Sequence, residues 1–429
     1  MELSKFNFAK LFLALVALLN VSAFSIATTP KLPIIFVHGM LASGDTYAGQ
    51  IARFEANGYD SKLLYAYDWN SLSFGRGGAT DGLQKMVDSV LAATKSSKVF
   101  LVGHSAGSGL VYGYCKDSVR SASIAGVVLV GGFKQDTSAG PKGELPTLNI
   151  FSEGDLVAKG GSEIPGAINV RLKDEDHYEV ATGFKAFESM FKFFNNGKSS
   201  IMDAVYNDDP VQMAGKAVSL GNNAPLEGGM VSIFELDPLT GNRIRLQPDA
   251  TFKVDANGHW GVFNGKKGAT YEFMLIGTDS TDRPIHYFRE RIPQSNLHVY
   301  LRSIPTTGMM SMMFSGIPED SLPALAVFSA SKAILNGRDR LVIDGVELTG
   351  TEFFKPSRTT IAMFLYDGNH DGNSDLTGVG LFNMQGVFLA GIDMAFQPIE
   401  KPIMLEYNGR TLQVRRIPSK SGVTVPVFD

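Results

Sequence analysis

The chain has 429 residues, 44% of them hydrophobic and 19% charged, with a formal net charge of −4. That length holds two or three domains with ample material for a core, and the near balance of charge leaves no electrostatic footprint for nucleic acid. The single cysteine, Cys115, excludes any disulfide within one chain, so stability has to come from packing, and Cys115 itself reads as a small buried hydrophobe.

The first residues have the order of a secretory signal peptide. Lys5 and Lys10 precede an apolar run over 11–19, and small residues follow at 23–27. Cleavage after Ser25 or Ala27 would remove residues 1–27 and send the protein to the periplasm or the exterior. An N-terminal anchor is the other reading, although the run is too short for a spanning helix.

Between residues 28 and 200, apolar strand-like runs alternate with helical patterns. The runs are 33–37, 61–67, 98–102, 124–130, 147–151 and 167–172. Uninterrupted apolar strands belong to a parallel sheet covered on both faces. Between them, Leu83, Met86, Val87, Val90 and Leu91 fall on one face of a helix over 81–93. Phe184, Phe187, Met190, Phe191 and Phe194 do the same over 180–194. This alternation predicts a doubly wound α/β domain.

One strand, 98–102, runs into Gly103-His-Ser-Ala-Gly107, and Leu110, Val111 and Tyr114 follow at helical spacing. A sharp strand-to-helix turn lifts the Ser105 hydroxyl above the sheet edge, and flanking glycines relieve the crowding. A serine needs a base to become a nucleophile. The base and acid are expected after later strands, in the order Ser, acid, His. His177 is the only histidine between Ser105 and residue 258, and it follows the strand at 167–172. The acid belongs after 147–151, where Asp155 is favoured by spacing and Glu153 is the alternative. Asp174 and Asp176 read as solvated or loop-capping groups. The oxyanion hole draws one N–H from Ala106, just past the nucleophile, and one from Met40, in the His38-Gly39-Met40 loop after the first strand. His38 reads as structural and His104 as a packing residue. Met40, Leu41, Leu156 and Val157 form an apolar rim suited to an aliphatic substrate. The loop over 69–78 reads either as a small lid with glycine hinges or as a fixed cover on the sheet edge.

Past residue 210 short β segments take over, at 231–236, 254–263 and 298–302, with turn residues between them. A first β-sandwich is expected over 210–303, a linker at 304–308, and a second β-rich domain over 309–429. A helix is expected within 324–335. The methionine-rich run 309–314 reads as a packed strand or as the lining of an acyl channel. Asp367, Asn369, Asp371 and Asp375 stand at alternate positions with Gly372 sixth, like the first nine places of a calcium loop. The twelfth place is Gly378, without the bidentate glutamate, and such runs also build plain hairpin turns. A structural calcium ion is the one cofactor expected; the chemistry itself requires none.

Phe-Val-His-Gly-Met at 36–40, Gly-His-Ser-Ala-Gly at 103–107, Asp155 and His177 resemble, in this order, the motifs of α/β-hydrolase lipases and esterases. The resemblance covers about residues 30–197. The layout looks like an archaeal and bacterial lipase type in which a compact catalytic domain precedes C-terminal β domains thought to shape acyl binding. Residues 213–302 separately resemble a transthyretin-like sandwich. The long helical cap of many lipases is missing, since residues 131–146 are few and polar. What this implies is a secreted serine hydrolase of lipid-like carboxylic esters, with some contact to a lipid interface. A short-chain esterase, polyesterase or thioesterase is the alternative within enzymes. A secreted surface-binding protein with a vestigial hydrolase core is the alternative outside them.

Overall fold

The computed structural model describes residues 31–73, 78–200, 203, 209–278, 282–292, 294–384, 387–397 and 399–429. The expected signal sequence and part of the loop at 69–78 lie outside the described residues. Leu32–Asp429 form one unit, and among the described residues no helix is long and apolar enough to cross a membrane.

The first half is a six-stranded parallel sheet: β1 (Ile34–Val37), β2 (Leu64–Tyr67), β3 (Val99–His104), β4 (Ile124–Val130), β5 (Thr147–Ser152) and β6 (Ile168–Leu172), in the order β2-β1-β3-β4-β5-β6. Four helices cover it: α1 (Ala48–Ala56), α2 (Ala79–Thr94), α3 (Ala106–Tyr114) and α4 (Phe184–Phe194). Side chains of a strand alternate between its faces, so β1 feeds two cores. Ile34 and Phe36 pack with Phe54 of α1 and Phe187 and Phe191 of α4. Ile35 and Val37 pack with Leu83 and Val87 of α2 and Leu110 and Val111 of α3. This is the doubly wound domain that the sequence pattern predicts. The helix expected over 180–194 is broken at Gly183, which takes an extended conformation between a short turn and α4.

The second half is β-rich, as expected, but its two regions are joined more closely than the linker at 304–308 suggests. The first supplies β7 (Val211–Ser219), β8 (Met230–Leu236), β9 (Ala250–Lys253), β10 (His259–Gly265), β11 (Thr270–Ile276), β12 (Ile285–Arg289) and β13 (Asn296–Ser303). The second supplies β14 (Leu325–Ser329), β15 (Leu341–Ile343), β16 (Val346–Glu347), β17 (Ala362–Tyr366), β18 (Leu389–Asp393), β19 (Ile403–Tyr407), β20 (Arg410–Val414) and β21 (Val423–Phe428). One eight-stranded sheet, β18-β17-β14-β21-β12-β11-β8-β9, takes strands from both regions, because β21 pairs in parallel with β12 on one side and β14 on the other. Smaller sheets, β10-β7-β13 and β16-β15-β19-β20, flank it.

Two local expectations are corrected. The segment 324–335 holds β14 and no helix: Leu325 and Val327 point into one core and Ala326 into the other, the period of a strand. The segment 309–314 belongs to a helix, α5 (Gly308–Phe314), and not to a strand. Met310, Met313 and Phe314 are buried at helical spacing and Met312 is 58% exposed; unbranched methionine favours that conformation.

Glu272 on β11 ties the two β regions together. It is fully buried and takes a two-bond fork from Arg243 at 2.8 and 2.6 Å, bonds from Arg415 at 3.1 and 3.2 Å, and a 2.7 Å bond from His286 Nδ1. Burial alone would raise its carboxyl; the arginines and His286 outweigh that and hold it well below the usual carboxylate range. A carboxyl depressed in the folded state stabilises above its unfolded pKa of about 4.3, and that contribution is lost as pH falls through the folded value. Glu272→Gln leaves the arginines without their carboxylate. It is expected to cost about 3 kcal/mol at neutral pH, read as a lower melting temperature. The gap to wild type should close as the pH is lowered below about 4.

Candidate active site

Ser105 stands between β3 and α3 with φ 51° and ψ −118°, a conformation that a non-glycine residue rarely adopts. The two glycines of the motif answer to close backbone approach. A Cβ on Gly107 would lie 2.3 Å from the Val37 carbonyl oxygen, and one on Gly103 would lie 2.4 Å from that of Gly107. The Ser105 N–H donates to the Val130 carbonyl at 2.9 Å, which fastens the turn to β4.

His177 and Asp155 arrive from the loops after β6 and β5. The Ser105 hydroxyl donates to His177 Nε2 at 2.9 Å, and His177 Nδ1–H donates to Asp155 Oδ2 at 2.8 Å. The other carboxylate oxygen of Asp155 accepts the N–H groups of Val157 and Ala158 at 3.0 and 2.9 Å, so the carboxylate cannot rotate away. All three side chains are buried. Glu153, the alternative acid, faces outward and pairs with Arg171. Asp176 caps the turn at Tyr178 and Glu179 and pairs with Arg338 of the second β region. His104 does more than pack: its Nε2–H donates to the His177 carbonyl at 2.7 Å. Burial and the neighbouring His177 push its pKa down to about 3, so it stays neutral.

The loop 38–44 lies against Ser105: a Cβ on Gly39 would be 3.0 Å from His104 Nδ1 and 3.2 Å from the Ser105 Cβ, so a side chain there would crowd both. Leu41 adopts φ 59°. Ala106 follows the serine directly, and Met40 follows Gly39 on the loop that lies against it. His38 is structural, as read: Nδ1–H donates to the Gly39 carbonyl, and Nε2 accepts the Trp69 N–H at 3.2 Å. Burial lowers its pKa, in keeping with that neutral tautomer. The described part of the 69–78 loop is fastened to this element. Trp69 Nε1–H donates to the His38 carbonyl, and the Ser71 hydroxyl accepts the Leu41 N–H at 2.9 Å.

A residue that motif reading missed completes the loop. Asn223, from the turn after β7, is buried against it. Its Oδ1 accepts the Ser43 hydroxyl at 2.5 Å. Its amide hydrogens are shared among the Ala42 carbonyl at 2.9 Å, the Trp69 carbonyl at 3.1 Å and His38 Nε2 at 3.1 Å. Gly221-Asn-Asn-Ala224 reads as an ordinary turn; only the pairing of distant segments reveals the role. Nearby, Asp68 takes bonds from Lys216 at 2.7 Å, Tyr300 at 2.8 Å and the Gly44 N–H at 2.8 Å, and Asp45 takes one from Arg302 at 2.5 Å.

An apolar cavity opens beside the triad, between the parallel sheet's loops and the eight-stranded sheet. Leu41, Tyr178, Ile285, Ala326, Phe364 and Phe388 line it. The Phe388 ring stacks 5.8 Å from that of His177. Of the expected rim only Leu41 takes part. Leu156 and Val157 do not line the cavity: Leu156 is 48% exposed and the Val157 N–H is held by Asp155. Asp367, Asn369, Asp371 and Asp375 lie on the loop after β17, whose strand partner β18 begins beside Phe388 and ends at Asp393.

Asn223→Ala removes every one of those loop bonds while leaving the triad in place. It is expected to lower kcat about tenfold or more, the scale of a displaced oxyanion donor, with little change in KM. Asn223→Asp keeps the acceptor for Ser43 and loses the donors, so it should resemble the alanine variant in a steady-state assay.

Residues 28–151 match the family model for serine aminopeptidase, S33, and residues 209–305 match the lipase C-terminal domain. Among solved structures, similarity is found to a CIB-like hydrolase of Thermoplasma acidophilum, with 16% identity over 40% of this chain and 89% of that one and a TM-score of 0.30. A Bacillus licheniformis lipase shows 13% identity over 38% and 92%, TM-score 0.32. A pyrethroid hydrolase from Sphingobium faniae shows 17% over 38% and 97%, TM-score 0.30. The two family matches, on a parallel sheet that carries a serine elbow, support an α/β-hydrolase of the lipase and esterase type.

Proposed function

We propose that the protein hydrolyses lipid-like carboxylic esters, triacylglycerol-like ones among them, through an acyl-enzyme on Ser105. Ser105 Oγ attacks the acyl carbonyl carbon while its proton passes to His177 Nε2. The Asp155 carboxylate holds Nδ1–H and stabilises the imidazolium that forms. The Met40 and Ala106 N–H groups receive the negative oxygen. His177 then returns the proton to the departing alkoxide, and the alcohol leaves. A water molecule, giving its proton to His177, attacks the acyl carbon and releases the acid.

The observation that carries this reading is the in-line Ser105–His177–Asp155 chain with an apolar cavity at its edge. The cavity suits an acyl chain, since its walls are aliphatic and aromatic and gain by excluding water. Leu156, next to Asp155, and Met40, on the loop after β1, are both about half exposed and supply apolar surface for a lipid interface. The reaction uses no cofactor. The charged, apolar and small-residue order of residues 1–27 supports export with cleavage of that segment.

A fluorophosphonate probe should label the wild type and leave Ser105→Ala unlabelled. Turnover of aryl esters should fall on the order of 10⁴-fold or more in Ser105→Ala or His177→Ala. Across a graded acyl series the maximum should lie beyond butyryl; a maximum at acetyl to butyryl refutes the lipid-ester reading and favours a short-chain esterase. Phe388→Ala widens the cavity next to His177 and should move that maximum toward longer or bulkier acyl groups.

A further inference from the structure

Two voids meet at one ion pair. The apolar cavity beside His177 has a volume of about 100 Å³, and a polar cleft between α1 and the ends of β12 and β13 has about 770 Å³. Both lie along one side of the eight-stranded sheet. Its adjacent strands β12, β21 and β14 run parallel to one another, and residues two apart on a strand share a face. On β12, Ile285 and Tyr287 line the cavity, and Arg289, next on that face, lines the cleft. On β14, Ala326 and Phe328 line the cavity, and Ala330, just past the strand, lines the cleft. On β21, Val425 lines the cavity, and Asp429, past the strand's end, lines the cleft. All three strands therefore lead from one void toward the other.

Asp45 and Thr46 stand between, lining both voids. Asp45 accepts a bond from Arg302 at 2.5 Å, and the two side chains are only 16% and 13% exposed. Arg302, which lines the cavity, is itself held in place. Its guanidinium lies 5.8 Å from the ring centres of Tyr300 and Phe328. The Tyr287 hydroxyl accepts the Arg302 N–H at 2.7 Å and donates to the Arg302 carbonyl at 2.8 Å.

We propose that the Asp45–Arg302 pair is a partition that limits the length of acyl chain the site accepts. This rests on the cavity being the acyl site. A chain in the cavity reaches the cleft only by parting the pair. Leaving a mostly buried charge without its partner costs more than burying a few methylenes returns. The cavity is therefore closed to the far larger space behind it, and long chains gain nothing there. Without the pair, the two voids become one trough along the sheet.

The full-length wild type and Asp45→Ala/Arg302→Ala are compared over a graded series of aryl esters, after melts that establish folding. The ratio of kcat/KM for the palmitoyl ester to that for the octanoyl ester should rise about tenfold or more, the worth of two further buried methylenes. A general loosening of the contact between sheet and α1 lowers turnover of both esters alike and leaves the ratio where it was. Ala330→Phe narrows the cleft behind the partition; it should leave the wild-type ratio unchanged and cancel the gain in the double variant. Asp45→Asn keeps the shape of the pair and removes one charge, so it should raise the ratio by less; it decides the matter where the double variant does not fold. An unchanged ratio in the folded variant overturns the proposal, and so does a gain that Ala330→Phe leaves intact. If the wild type hydrolyses these esters while the ratio stays fixed, only the partition falls. A wild type that the fluorophosphonate probe does not label overturns both the partition and the acyl-enzyme reading.

Discussion

The buried polar seam between the parallel sheet and the first β region is the constraint on which the site depends. Asp68 and Asp45 sit behind the 38–44 loop, and Lys216, Tyr300 and Arg302 reach them from β7 and β13. Burial alone would raise the Asp68 carboxyl; Lys216, His38 and Tyr300 more than offset this and keep it ionised. Buried ion pairs of this kind add little net stability against well-packed apolar groups, yet breaking one is costly. Their effect is to permit one docking geometry. In that geometry Asn223 meets the 38–44 loop and the apolar cavity opens beside His177.

The division of labour between the halves follows from their architectures. A parallel sheet presents its loops at one edge, which is where Ser105, Asp155 and His177 converge. It does not provide a wall for a long substrate, and the polar stretch 131–146 adds no helical cap. The eight-stranded sheet supplies the wall with Ile285, Ala326 and Phe364, and Phe388 carries it to the His177 ring. The hydrogen-bonded Ser105–His177–Asp155 chain and the apolar wall beside it thus come from different parts of one chain. His104 and Asp176 join the histidine loop to its surroundings, the first through the His177 carbonyl and the second through Arg338.

Some of this was legible from local pattern and some was not. The apolar runs at 33–37 and 124–130 are buried on both sides, so their character does not depend on which neighbour covers them. The Ser105 elbow is equally local, because its two glycines answer to backbone crowding within a few residues and to the adjacent β1. Run 309–314 misled because an apolar run so short shows no clear period, although methionine itself favours a helix, and 324–335 because Leu325–Ser329 is too short for its period to stand out. Leu156 and Val157 were placed on the rim by nearness in the chain, but the cavity is walled by strands that lie far away in sequence.

Residue order alone was enough for the doubly wound domain, the sharp turn at Ser105, and the two side chains, Asp155 and His177, that the fold brings to it. Each rests on short-range sterics and on periodicities of a few residues. Only the folded chain decided that β21 would join two β regions in one sheet, that Asn223 would hold the 38–44 loop, and that Phe388 would stand against His177. Those contacts join residues about a hundred or more positions apart. They depend on register, docking angle and the satisfaction of buried polar groups, none of which leaves a local mark in the chain.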